Sequence, residues 1–370
     1  MTSTVGEGAV PRHGLGGARM SIRSIFKFRR TPPLGVEFCE RGLRLVQVRA
    51  ASDEVRRAVF VPFESDGEVD PGRLRTALRG FRGRDAVVAP PRADITVRPA
   101  RLPLLVDAEL REAARWEAAG LLEIDAADVV ADALPLSSET DAEGRTEMLV
   151  VAGSARGLEE RLKPLIAAGL RPIALEPAFF GAGRAFTIRS RRQQEQHDIR
   201  VVVDVSERES WIVVTRGDRV MFAKRSDVGG AAFDAELAAG LGIELATARR
   251  TRLDGRERTL EPEVLAEVMT AVRRAGASLA DEIAMAVRYV TVTTRAGRPQ
   301  ALHLSGEAGS TPGLRETIEG SIPGIPVESV AFVEERLEAA SSTEDSTPLE
   351  WASAFGLAIR PFTRRGKEAA

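Results

Sequence analysis

The chain of 370 residues holds one cysteine, Cys39, so an internal disulfide framework is excluded and a reducing compartment fits. Cys39 lies close to Glu37 at a turn, where a lone thiol reads as a small buried residue rather than a nucleophile. The three histidines, His13, His197 and His303, share no metal-ligand spacing, so no His/Cys metal cluster is assigned. No apolar run approaches the roughly 20 residues that cross a bilayer, so the chain is read as not membrane-spanning. Excess charge of one sign is also missing. Lys plus Arg number 52 against 54 Asp plus Glu, a net charge of −2, which favours a protein partner over nucleic acid. The run His303-Leu304-Ser305-Gly306 lacks the Gly-x-Ser-x-Gly setting of a hydrolase, and no strand precedes Gly14 to Gly17, so that run is not a phosphate loop.

What is present is ordinary globular material, 44% hydrophobic and 29% charged. A single core stops growing at about 250 to 300 residues, so the length predicts two lobes at least.

The chain is organised around residues 201–230, VVVDVSERESWIVVTRGDRVMFAKRSDVGG. Val201 to Val205, Trp211 to Thr215 and Val220 to Lys224 are three strands rich in β-branched and aromatic residues. Asp204, at the end of the first, stands where a nucleotide-binding sheet places a carboxylate that handles a metal or its water. Gly229 and Gly230 then open a helix, letting backbone N–H groups approach an anion. An earlier meander, Leu34 to Phe38, Leu43 to Val48 and Val59 to Phe63, repeats the pattern with Glu37 one residue from the end of its first strand. The chain reads as two related halves.

Residues 1–30 read as a disordered, basic leader with Met20 as a candidate start; Ile22, Ile25 and Phe26 are interleaved there with Arg23, Lys27, Arg29 and Arg30, a pattern that suits an anionic membrane surface. Residues 31–90 form the first lobe, with a helix at Pro71 to Phe81 and a strand at Asp85 to Ala89. Residues 91–172 are an insert in the order strand, helix, strand, strand, helix, strand, a split β-α-β unit. Its elements are Asp94 to Arg98, a helix from Asp107 as N-cap to Leu121, a hairpin of Val129 to Leu136 with Glu147 to Ala152, a helix capped by Ser154 and bent at Pro164, and Pro172 to Leu175. Residues 173–198 return to the first lobe through a helix and a polar hinge, Arg189 to His197. Residues 199–340 form the second lobe, with helices at Ala231 to Leu241 and Val264 to Val290, a charged segment Ala248 to Arg258, a strand at Leu302 to Gly306, and a loop and helix over Gly309 to Gly320. Residues 341–348 are a linker, and 349–370 a last helix with a basic tail.

Two similar meanders, an insert after the first, and the closing runs LHLSGEAGSTPGL and PLEWASAFGLAIR resemble the actin-like ATPase superfamily. Within it the chain is similar to the type IV pilus assembly protein PilM family, relatives of the cell-division protein FtsA. The insert carries the most specific part, ITVRPARLPLLVDAELREAARWEAAGLLEIDAADVVAD and MLVVAGSARGLEERLKPLIAAGLRPIALEP. The resemblance implies a two-lobed actin-like ATPase (ribonuclease H-like) α/β fold with the split β-α-β subdomain inserted. It also implies that Glu37, Arg41, Gly42, Asp204, Arg208, Gly229, Gly230, Glu282 and Gly306 occupy nucleotide-site positions. ATP with Mg is the implied cofactor, the metal falling to Asp204 and Glu37.

The phosphate loops depart from the family pattern. Glu37-Phe38-Cys39-Glu40-Arg41-Gly42 replaces an Asp, a Gly and small hydroxyl residues, and Ser206-Glu207-Arg208-Glu209 replaces a Gly and small residues. Two unit charges about 4 Å apart near a surface interact by roughly 4 kcal/mol, so Glu40 or Glu207 aimed at a phosphate would lower affinity by about three decades. Arg41 and Arg208 would offset this. The leading expectation is weak or absent ATP binding without turnover, in a cytoplasmic scaffold of a type IV pilus or related secretion machine.

The implied partner is the cytoplasmic tail of a PilN-like inner-membrane protein, beside other platform proteins, which would leave the chain peripheral to the inner membrane. In the family the tail lies between the first lobe and the insert, so Leu110, Ala114 and Trp116 are candidate neighbours, with Leu110 favoured as core. Two other readings stay open: a working actin-like ATPase, and an FtsA-like, filament-forming, membrane-tethering protein.

Overall fold

The two meanders fold into two sheets of matching topology. The computed structural model describes residues 31–50, 54–65, 67–137, 139–187, 198–217, 219–257, 260–293, 297–328, 335 and 347–360. The leader, the hinge at Arg189 to His197, most of the linker and the basic tail expected above lie outside the described residues.

In the first sheet, β1 (Leu34–Phe38), β2 (Gly42–Val48) and β3 (Val55–Pro62) pair antiparallel, and β4 (Asp85–Ala89) adds in parallel beside β1. In the second, β9 (Ile199–Val205), β10 (Ser210–Arg216) and β11 (Arg219–Ser226) repeat the antiparallel run, and β12 (Ala301–Ser305) adds in parallel beside β9. The orders β3-β2-β1-β4 and β11-β10-β9-β12 correspond strand for strand. Both central strands are buried on both faces over most of their length, which is why Leu34 to Val36 and Val201 to Val203 read as continuous apolar runs rather than alternating ones.

Between β4 and its outer neighbour β8 (Arg171–Leu175) lies the insert. Its sheet is β5 (Thr96–Pro103), β7 (Arg145–Ser154) and β6 (Val129–Pro135), in the order β5-β7-β6 and antiparallel throughout. One face, with Met148, Val150 and Ala152, packs on α2 (Asp107–Leu122); the other, with Leu149 and Val151, meets Phe179, Trp211 and Val213. The helix α3 (Ala155–Ala167) and β8, expected to belong to the insert, serve the first lobe instead. β8 pairs in parallel with β4, and Leu165 and Leu162 pack on Leu34, Val36 and Leu74. The reason is geometric: a parallel neighbour needs a crossover, and α3 is the helix that supplies it. The insert with its own sheet is therefore shorter than the predicted 91–172.

Local signals explain most element ends. α1 (Pro71–Ala77) starts on Asp70, whose carboxylate accepts from the N–H of Gly72 and Arg73, and it tightens into a 3-10 turn over Leu78–Gly80. Ser154 caps α3 as expected, accepting from Gly157 N at 3.3 Å. The N-cap of α2 is Val106 rather than Asp107, one residue earlier than the expected cap. The charged segment before the long helix is itself helical, α6 (Leu245–Glu257), and turns Ala248 and Arg252 inward.

A layer of two helices separates the sheets. α4 (Ala178–Thr187) and the last helix cross where Gly181 meets Gly356; a Cβ on Gly356 would lie 1.7 Å from the Gly181 carbonyl oxygen. This last helix, Ala352–Ala358, is the ninth α-helix described, after α5 (Gly230–Leu241), α7 (Pro262–Thr293) and α8 (Leu314–Ser321), and is called α9. Phe186 of α4 stacks on His303 of β12 at 5.0 Å, and Phe179 stacks on Trp211 at 4.2 Å, so the return helix is tied to the second sheet at two aromatic contacts. Beyond that sheet α5, α7 and α8 cover its outer face through Phe233, Leu279, Ile283 and Leu314.

Candidate functional site

Glu37 and Asp204 hold equivalent places, each one residue from the end of the central strand of its sheet, and both are buried. The two acids expected from the repeat are therefore brought together at the same end of the fold. Neither stands without a counter-charge. Asp204 accepts from Arg92 Nη2 at 2.5 Å and from Ser305 Oγ, its neighbour in register on β12, at 3.1 Å. Glu37 faces Arg44, its cross-strand partner on β2, at 3.7 Å, which is too long for a hydrogen bond.

Arg44 is the centre of this cluster. Its guanidinium is buried, and Nη2 donates to Glu307 at 3.0 Å and to Glu350 at 2.7 Å. Burial works against the charge on Glu307, but the Arg44 guanidinium outweighs it and holds that carboxyl below the usual range. For Glu37 burial wins over Arg44, and the charge of Asp204 adds to it, so its pKa rises to about 7. Cys39 is half-buried, and burial pushes its thiol up to about 12, which fits the inert role read for it.

The loop residues turn toward each other. Arg41 approaches Glu350 at 3.7 Å and lies over the Phe60 ring at 5.9 Å. Arg208 donates to Glu40 at 3.1 Å, joining the β9–β10 turn to the β1–β2 turn. Arg208, expected to offset Glu40 by pairing with a phosphate, is here paired with Glu40 itself. Gly42 is a point of close strand contact, where a Cβ would meet the Val61 carbonyl at 2.3 Å. Gly306 has φ +87°, and a Cβ there would come 2.7 Å from Asp204 Oδ1, so glycine is required beside that carboxylate.

At the N-terminus of α5 the glycines are kept, but the space above Gly230 is filled. A Cβ on Gly230 would meet Glu207 Oε2 at 2.6 Å and Arg252 Nη2 at 2.7 Å. Arg252 is buried and donates to Glu207 at 2.6 Å and to Asp234 at 2.6 and 3.1 Å. Gly229 closes a tight turn on Ser206 and Glu209. Glu282 of α7 is tied to β11, accepting from Ser226 Oγ at 2.8 Å and pairing with Lys224 at 2.8 Å.

Sequence reasoning missed Arg44, Arg92, Asp234, Arg252 and Glu350. Arg44 had a readable signal, a lone cation inside the apolar strand run LRLVQV. Arg252 had none, since it is one of several arginines on α6. Among the described residues no group of three or more His, Cys, Asp or Glu is arranged to hold a metal ion.

The three candidate partner residues divide. Leu110 is 9% exposed and packs in the core beneath α2, the reading favoured for it, and Ala114, a candidate neighbour of the tail, is fully buried in the same core. Their i, i+4 spacing is that of a core stripe. Trp116 is 66% exposed, and its indole N–H donates to Glu112 at 3.0 Å.

Two sheets of matching order, joined through a helical layer and meeting at paired carboxylate strand ends, define a protein of the actin-like ATPase fold. The family model for "Type IV pilus assembly protein PilM" matches residues 74–362, more than half the chain. This chain belongs to that family. Among solved structures it is similar to a "PilM-PilN type IV pilus biogenesis complex", at 22% identity and a TM-score of 0.68, covering 89% of this chain and 98% of that one. It is also similar to the ethanolamine utilization protein EutJ from Carboxydothermus hydrogenoformans, at 14% identity and a TM-score of 0.50, covering 88% and 89%. No curated protein matches.

Proposed function

We propose that this chain is a cytoplasmic scaffold of a type IV pilus or related secretion machine. Its partner is the cytoplasmic tail of a PilN-like inner-membrane protein, through which it sits at the membrane. Family membership supports the machine, and likeness to a protein solved as a PilM-PilN complex supports the partner. No helix among the described residues is long and apolar enough to cross a membrane.

The nucleotide site is degenerate in this reading, and one observation carries it: the carboxylates at both strand ends have arginines of the chain itself as counter-ions. Arg92 takes the Asp204 oxygen that a magnesium-bound water would need, and Glu207 with Arg252 takes the space over the α5 N-terminus where a phosphate would lie. These residues do not fit a nucleotide with its metal. A carboxylate in the phosphate position adds like-charge repulsion and leaves little room.

A second reading, an ATP-binding protein, draws on the retained glycines at 229, 230 and 306. Calorimetric titration of ATP with and without Mg decides between them. No detectable heat from folded protein is the expected result; micromolar binding abolished by Asp204→Ala overturns the degenerate site.

A further inference from the structure

At the edge of the first sheet, at the end away from Glu37, arginines outnumber acids among the described residues. The loop leading to β4 reads Arg79-Gly80-Phe81-Arg82-Gly83-Arg84, and the facing edge of β2 and β3 carries Arg49, Arg56 and Arg57. Specific contacts hold the two together. The buried Gln47 side chain donates to the Arg82 carbonyl at 2.5 Å and accepts from Arg82 N at 2.9 Å. Arg57, opposite Gln47 in register, lies over the Phe81 ring at 5.5 Å and against Gly80.

Arg56 has its pKa lowered, first by lost hydration and then by the like charges of Arg82 and Arg49. Of the described acids at this end, Glu54 lies 3.7 Å from Arg49, and Asp85 accepts from Arg171 at 2.6 Å. The whole chain has a net charge of −2, so this is a local excess and not a general basicity.

We propose that this arginine edge is an electrostatic contact surface for anionic phospholipid headgroups. Three observations select a lipid surface among polyanions. Phe81 is buried in the core of the first lobe, so the loop offers no ring on which bases could stack. β3 is an edge strand whose Arg56 and Arg57 discourage strand addition by a peptide. Residues 20–30, immediately before the first sheet in sequence, interleave Ile22, Ile25 and Phe26 with Arg23, Lys27, Arg29 and Arg30, the composition of an interfacial segment. A short basic segment or a basic patch alone gives only marginal, reversible binding, and two such signals in one chain strengthen it. This contact is independent of any membrane-protein partner.

The test is sedimentation of the full chain with vesicles of phosphatidylcholine alone and of phosphatidylcholine mixed with phosphatidylglycerol. The expected result is binding to the mixed vesicles only, released by raised salt. The double variant Arg56→Glu with Arg82→Glu should weaken it by about thirtyfold or more, from two surface charges removed and two reversed. Arg250→Glu with Arg273→Glu, exposed positions of the second lobe, should leave it unchanged. If the reversed pair fails to fold, Arg56→Gln, a milder surface change, should still weaken binding. No binding to the mixed vesicles, equal binding to both vesicle types, or full binding by the edge variants overturns the proposal. So does tighter binding of a uridine RNA oligomer than of vesicles at the same salt.

Discussion

Arg92, in the turn between β4 and β5, places Nη2 2.5 Å from the Asp204 carboxylate at the end of β9, so a cation from the start of the insert caps a carboxylate of the second lobe. Asp204 is fully buried, and Ser305 is its other hydrogen-bond donor. Removing one member of such a pair leaves a buried charge uncompensated, at about 3 to 5 kcal/mol. Arg92→Met is therefore expected to lower stability by about 3 kcal/mol, and adding Asp204→Asn should restore most of that. Urea unfolding of the four proteins of the cycle measures both effects; strict additivity would show that the pair is not coupled.

Gly356 is expected to tolerate no side chain. Its Cβ would fall on the Gly181 carbonyl, and both atoms belong to helical backbone that cannot rotate away. Gly356→Ala should destabilise by on the order of 3 kcal/mol, through separation of α4 and α9. Gly240→Ala, in α5 and 3.5 Å from the movable Glu267 carboxylate, should instead stabilise by roughly 0.5 to 1 kcal/mol. Thermal melts of the two variants should move in opposite directions.

The pH dependence has two opposed parts. Burial raises Glu37 from 4.5 to about 7, so its stabilising contribution is fully present below pH 4.5 and is lost as pH rises through 7. Burial lowers His303 from 6.5 to about 4, so its contribution is present above pH 6.5 and is lost as pH falls toward 4. Between pH 4.5 and 6.5 the two slopes oppose each other. Glu37→Gln should gain on the parent protein as pH rises, by on the order of 3 kcal/mol once above pH 7. His303→Gln should gain on it as pH falls from 6.5 to 4. Denaturation midpoints across this range read both, and parallel curves for parent and variants would refute the assignment.

Trp116→Ala should leave stability within about 0.5 kcal/mol, since the indole is mostly exposed. If α2 receives the tail of a PilN-like protein, the same change should weaken a synthetic tail peptide by about 2 kcal/mol, roughly thirtyfold. Fluorescence anisotropy of the labelled peptide reports it; unchanged affinity moves the partner surface elsewhere.

The strands at Val201, Trp211 and Val220 were legible because a buried meander needs little more than β-branched runs and short polar turns. So was the duplication, since Glu37 and Asp204 mark equivalent strand ends. The allocation of α3 and β8 was not legible, because Pro172 to Leu175 is a strand whichever sheet receives it, and only its pairing with β4 decides. The ion network was readable in part. Glu40, Arg41, Glu207 and Arg208 stood out as misfits in loops expected to be small and uncharged, but the partners of Arg41 and Glu207, which are Glu350 and Arg252, come from distant segments and carry no local pattern.

Thr96 of β5 faces Ala152 of β7, so the chain enters and leaves the inserted sheet through residues about 5 Å apart. An element with adjacent ends is replaceable: over descent it can be lengthened, exchanged or lost without moving the crossover that carries it. Its constraint lies on the face where Leu149 and Val151 meet Trp211 and Val213, because drift there must satisfy both the insert and the second lobe. The α2 side answers only to its own small core and to whatever docks on it. That side is where sequence can drift while the rest of the fold is kept.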